Sequence, residues 1–336
     1  MNDSENTSEK ESEINSQSTR RKVLAAGLLA ASLGPSALAQ APSNRALRII
    51  VPFPPGGTTD LVSRLVAVEL QASLGQTVIV ENKPGAGTVI GVDAGAKAAP
   101  DGSTLVCVAN SFAVNHTLVK KLPYDSFKDL RPAALMGLSE HVLVVHPSVK
   151  ARNLKELAAL SKTTALSYGS FGAGTSPQMA SELLRTLAGV QAVHVPYKGQ
   201  APALNDLLGG QISMMFGNWP EFAPHVRAGK LAAIGMATLK RSAYATDLPT
   251  LAEQGTPIES NSWSGLLAPA ATPDAVVARL NAEVNKALAS ALVKEAFAKG
   301  GIVSLAGTPE QFAAFLRSEA SKYAKVIEDA KITPDS

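Results

Sequence analysis

The 336-residue chain contains one cysteine, Cys107. That excludes an internal disulfide, and in the apolar run Leu105-Val106-Cys107-Val108 it reads as a small buried hydrophobe in a strand. An excess of charge of either sign is also lacking, since the formal net charge is only +3. A balance this weak and dispersed does not point to nucleic acid or a membrane surface. The five histidines, His116, His141, His146, His194 and His225, lack the H-x-H, H-x-x-H or H-E-x-x-H spacings of metal sites. No metal and no cofactor are expected. The chain also has no G-x-S-x-G elbow, no cysteine beside an obvious base and no P-loop. Since catalytic groups can be assembled in space from distant residues, an exported enzyme remains the competing class.

What the chain does have begins with an address. Polar residues 1–19 lead to Arg20-Arg21-Lys22, an apolar run over 23–34, Pro35 and the small-x-small signal Ala37-Leu38-Ala39. This predicts a signal peptide over 1–39, cleaved near Ala39, and export to the periplasm. The run is too short for a membrane span. Thr19-Arg20-Arg21-Lys22-Val23-Leu24 also fits a twin-arginine pattern loosely, with Val23 where Phe is usual. Asn115-His116-Thr117 matches a glycosylation acceptor, which behind such a leader is a chance match.

Beyond the leader, short β-rich runs alternate with helical patterns. Strands are expected over 47–53, 77–80 and 103–109, with helices over 59–74 and 89–99 between them. A second series follows, with strands over 141–146, 166–168, 193–195 and 212–216 and helices over 153–161, 177–188 and 201–208. The alternation predicts parallel strands with crossover helices, in two lobes. Thr272-Pro273-Asp274 and Thr308-Pro309-Glu310 read as Thr-capped starts of two outer helices.

In such sheets ligands collect beyond the carboxyl ends of the strands, so the loops there matter most. Val51-Pro52-Phe53-Pro54-Pro55-Gly56-Gly57-Thr58-Thr59-Asp60 leaves a strand and opens a helix, with Thr58 or Thr59 as its cap. Two glycines without Cβ atoms let a ligand approach the main chain, and the amides at a helix start suit a carboxylate or phosphate. Asp60 complicates this, because its charge lies in the same turn; it can instead pair with Arg64. A second loop, Asn82-Lys83-Pro84-Gly85-Ala86-Gly87-Thr88, reads as a tight turn, its third glycine falling one residue late for a dinucleotide fingerprint. The third, Tyr168-Gly169-Ser170-Phe171-Gly172-Ala173-Gly174-Thr175-Ser176-Pro177, opens a helix of the second lobe. Two helix starts, one from each lobe, could grip one small anion without any arginine.

The ordered set "VPFPPGGTTD", "VENKPGAGTVIG", "AAPDGSTL", "YGSFGAGTS", "VPYKGQAPALNDLLGGQI" and "WSGLLAPAATP" resembles the receptors of tripartite tricarboxylate transporters, the Bug family of extracytoplasmic solute receptors. The resemblance implies an α/β, two-lobed type II periplasmic binding protein ("Venus flytrap"), with a βαβ sheet in each lobe and a ligand cleft between them. The first lobe would comprise 42–142 and 262–336 and the second 143–261. It further implies a monomeric receptor that captures a small organic carboxylate and delivers it to membrane permease subunits. A sensor that presents its ligand to a membrane kinase is compatible with the same fold. Carried over by position, the ligand loops fall on Pro55, Gly56, Gly57, Thr58 and Asp60, and on Ser170, Gly174, Thr175 and Ser176, with Asn110 as a further cleft residue. Asn218, just past a strand, is a cleft candidate on the residues alone, whereas Trp219 and Trp263 read as hinge packing; Pro196, Tyr197, Lys198 and Gly199 match the family's PYKG turn, with a plain hinge-side turn as the alternative. Two departures stand out: Gln178 where many members have His, and Ser213 where many have Asp.

Overall fold

The structure, a computed structural model, describes residues 45–333. The expected leader lies outside the described residues. Among these, no helix is long and apolar enough to cross a membrane.

Strand β1 (Leu47–Val51) is followed by α1 (Thr58–Leu74), β2 (Val78–Asn82), a 3-10 turn (Ala86–Thr88) running into α2 (Val89–Ala96), β3 (Thr104–Ala109) and α3 (Asn110–Leu118). β1 lies between β2 and β3 and is parallel to both. Ile49, Ile50, Leu105 and Val106 are fully buried, as strands covered by helices on both faces require. The long strand β4 (Leu130–Val145) comes next, followed by α4 (Leu154–Leu160), β5 (Ser167–Ser170), α5 (Ser176–Ala188), β6 (Val193–Pro196), α6 (Gln200–Leu208), β7 (Met214–Asn218), α7 (Trp219–Arg227) and β8 (Ala232–Met236). β5 is parallel to β6 and to β7, so the crossover geometry recurs. The chain returns through β9 (Asn261–Pro269), α8 (Asp274–Ala289), α9 (Ala291–Lys299), β10 (Ile302–Ser304) and α10 (Pro309–Ala330).

The two parallel sets are joined by antiparallel strands. β4 pairs with β9 along Leu130–Glu140 and with β7 and β8 along His141–Val145, giving the order β2-β1-β3-β9-β4-β7-β5-β6. Only the second half of β4 was expected as a strand, and β9 was not. Pro132 and Gly137 interrupt the first half, where the register slips twice, and β9 is buried on both faces and so shows no alternation. Each half has apolar clusters on both sheet faces: α1 and α8 cover one face of the first half, α3 and α10 the other. In the second half α4 and α5 face α6 and α7 across the strands. Of the two expected Thr caps, Thr308 forms a full capping box with Gln311. At α8 the cap is Pro273, without a side-chain bond, and this helix breaks at Ser290 into α9.

Candidate functional site between the two halves

All the expected ligand loops leave the carboxyl ends of parallel strands. After β1, Pro55, Gly56 and Gly57 are exposed, and α1 is capped by Gly57 rather than by Thr58 or Thr59. The first turn of α1 therefore carries no side-chain cap, and its amides stand ahead of the first bond to Gly57 O, made by Leu61. Asp60 turns inward. It is 4% exposed and accepts hydrogen bonds from the Gly56 amide (3.0 Å), Arg64 Nε (3.0 Å) and Asn82 Nδ2 (2.9 Å). One of the amides expected for the anion is thus occupied by the chain's own carboxylate. Gly56 has φ +90°, which suits glycine. Burial pushes the Asp60 carboxyl up, but its bonds from Arg64, Gly56 and Asn82 outweigh this and hold it below the usual range.

The loop after β5 is likewise tied to itself. Buried Ser170 bonds His194 Nε2 (2.7 Å) and accepts from the Gly172 amide (3.1 Å). Gln178 Oε1 accepts from the Gly174 amide (2.7 Å), its Nε2 lies 3.4 Å from His194 Nδ1, and the Thr175 hydroxyl donates to Gly172 O (2.6 Å). Thr175 caps α5 without a side-chain bond, and Ser176 is buried at its start. The family departure at position 178 is therefore a brace for the loop. Ser213 accepts from the Ser167 amide (3.1 Å), a local bond between β5 and the turn before β7.

The two halves meet at these loops. Asn218 Nδ2 donates to Thr58 Oγ1 (3.0 Å) and to Glu221 Oε1 (3.2 Å), and the Thr58 hydroxyl donates to Glu221 Oε1 (3.3 Å). The start of α1 is thereby joined to the end of β7. The Asn218 amide donates to Gln200 Oε1 (3.1 Å). On the other side, a Cβ at Gly174 (φ +73°) would lie 3.3 Å from Asn115 Oδ1, on α3. Asn115 also donates to Gly87 O (2.7 Å), and Thr88 Oγ1 lies 3.3 Å from Ser111 Oγ. Asn115 is 3% exposed, too buried to carry a glycan.

Asn110 is placed differently. Its Nδ2 donates to Tyr323 OH (3.0 Å) and its Oδ1 accepts from the Trp263 amide (3.2 Å), so its bonds tie α3 to β9 and α10. Trp263 packs on Phe312 and Phe315 and Trp219 donates to Tyr244 O, both as core residues. Tyr197 donates to Asp206 (2.7 Å) and Lys198 is exposed. Sequence reasoning missed Glu221, Gln200 and the wall of Thr88, Ser111 and Asn115. Thr88 was findable within "PGAGT", while an acid in the first turn of α7 is indistinguishable from ordinary capping. Two open surface depressions, of about 360 and about 420 Å³, lie elsewhere, one beside Leu154 and Ala188, the other beside Pro123 and Ala270.

Two α/β halves meeting through helix starts define the class, a solute-binding receptor of the two-lobed periplasmic binding protein fold. The solved periplasmic binding protein BugD superposes with a TM-score of 0.78 at 32% identity, over 86% of this chain and 98% of that one. R. palustris Rpa4515 with adipate gives 0.80 at 30% identity over 87% and 99%, and MatC from Rhodopseudomonas palustris with bound malate gives 0.77 at 32% over 84% and 99%. The model for the tripartite tricarboxylate transporter family receptor matches residues 62–332. Protein BugT of Bordetella pertussis is 38% identical over 290 residues, covering 85% of this chain and 89% of the relative. The chain belongs to this receptor family, whose members are binding proteins rather than enzymes.

Proposed function

We propose that the protein, exported to the periplasm as a monomer, captures a small organic carboxylate between its halves and delivers it to the permease subunits of a tripartite tricarboxylate-type transporter. The observation that carries this reading is the junction of Thr58 with Asn218, which sets the uncapped start of α1 against the end of β7. Amides at a helix start favour negative charge, and helix-end fields add to their hydrogen bonds. The adipate and malate of the two similar structures support the carboxylate. We assign 42–142 with 262–336 to one lobe and 143–261 to the other, the switch of β4 partners near His141 supporting that division. Ligand contact is proposed for Pro55, Gly56, Gly57, Thr58, Thr175, Ser176 and Asn218. Asp60, Ser170 and Gly174 hold those groups in place, and Asn110 braces the strand end behind them. Closure on the solute then marks the loaded state for the permease. Calorimetric titration against malate, succinate, adipate and citrate tests the reading: at least one is expected to bind with micromolar affinity, and failure of a broad carboxylate panel to bind would overturn it.

A further inference from the structure

Glu221 opens the first turn of α7 and is partly buried at the junction of the halves. Its Oε1 accepts from Thr58 Oγ1 (3.3 Å) and Asn218 Nδ2 (3.2 Å), two neutral donors. Among the described residues no lysine, arginine or histidine forms an ion pair with it. Asp60, on the first turn of α1, is by contrast answered by Arg64. Carboxylates withdrawn from water are usually paired with a cation.

Glu221 shares its donor Thr58 with the start of α1, so an anion bound by the amides there lies within a side chain's length of a second negative charge. Two like charges this close disfavour each other. A solute that carries both signs removes the conflict, because its carboxylate faces α1 while its ammonium faces Glu221. We propose that Glu221 is a specificity-determining residue and that the solute is a zwitterion, a carboxylate bearing an ammonium group a few bonds away. This rests on the carboxylate-receptor reading above.

The test is calorimetric titration of the purified protein with matched pairs, L-aspartate against succinate and L-2-aminoadipate against adipate. The aminated member of at least one pair is expected to bind tenfold or more tightly than its partner. Glu221→Gln is expected to reduce that ratio at least tenfold, and Glu221→Asp, which keeps the charge, to preserve its sign. A native ratio at or below one, or a ratio untouched by Glu221→Gln, overturns the inference. If only the plain diacids bind, the inference falls and the receptor reading stands. If no member of either pair binds and the broad panel also fails, both fall.

Discussion

Asp60 places a negative charge beside the proposed anion site and turns it into the fold, where it braces its own loop. Its three donors fix the loop at Gly56 and leave the next amides free. Asp60→Ala is expected to cost roughly 1–3 kcal/mol of unfolding free energy, read by denaturant titration, because buried donors lose their acceptor. Gly57 offers the converse probe. Its φ of −82° suits any residue, and a Cβ there meets nothing within 4 Å. Gly57→Val should therefore cost no more than about 1 kcal/mol, the loss of a favoured helix cap, while lowering carboxylate affinity by tenfold or more in calorimetry. Unchanged affinity would remove Gly57 from the site. The glycine-rich loop was legible in the sequence because glycine and a helix start announce themselves locally. The Asp60–Arg64 pair was legible too, as an i, i+4 spacing, whereas the bond from Asn82, 22 residues away, was not.

At the scale of elements, the chain Ser170, His194, Gln178 and the Gly174 amide braces the start of α5. Gln178→Leu strands a buried amide, so a loss of about 1–3 kcal/mol is expected, together with faster hydrogen exchange at Gly174 and weaker binding. Exchange at Gly174 unchanged from the native protein would show that this bond is dispensable. A neighbouring element carries strain: Thr88, β-branched, has φ +82° at the start of α2, where its hydroxyl meets Ser111. Thr88→Gly should leave stability unchanged or raise it by about 1 kcal/mol, and lower affinity if the strained hydroxyl orders the cleft wall. Such elements mark how far the sequence could be read. Parallel strands and crossover helices emerged from periodicity and flanking turns. β9 and the first half of β4 did not, because burial on both faces and two register slips erase the period of two.

Across the whole molecule the halves join where β4 exchanges β9 for β7, and His141 sits at that exchange. Its ring nitrogens lie 2.9 Å from the Ser260 and Ser262 hydroxyls, and burial, helped by the Lys322 charge and opposed by the Asn218 side chain, lowers its pKa from 6.5 to about 3. The folded protein therefore keeps a neutral ring where the unfolded chain binds a proton. Stability is expected to fall as pH drops from about 6.5 toward about 3, with no contribution from this group above that window. His141→Asn should flatten the dependence of the melting temperature on pH between these limits, and an unaltered slope would assign acid sensitivity elsewhere. Asp60 acts lower, its contribution fully present above the ordinary carboxylate range and fading as pH falls from there through its depressed folded value.

β4 is a single 16-residue strand that supplies ladder partners to both sheets. Such a shared spine makes the two halves one cooperative folding unit, because either half expressed alone would expose an unpaired edge of the other's ladder. Any change in the angle between the halves therefore has to be absorbed along that strand, near the exchange of partners at His141.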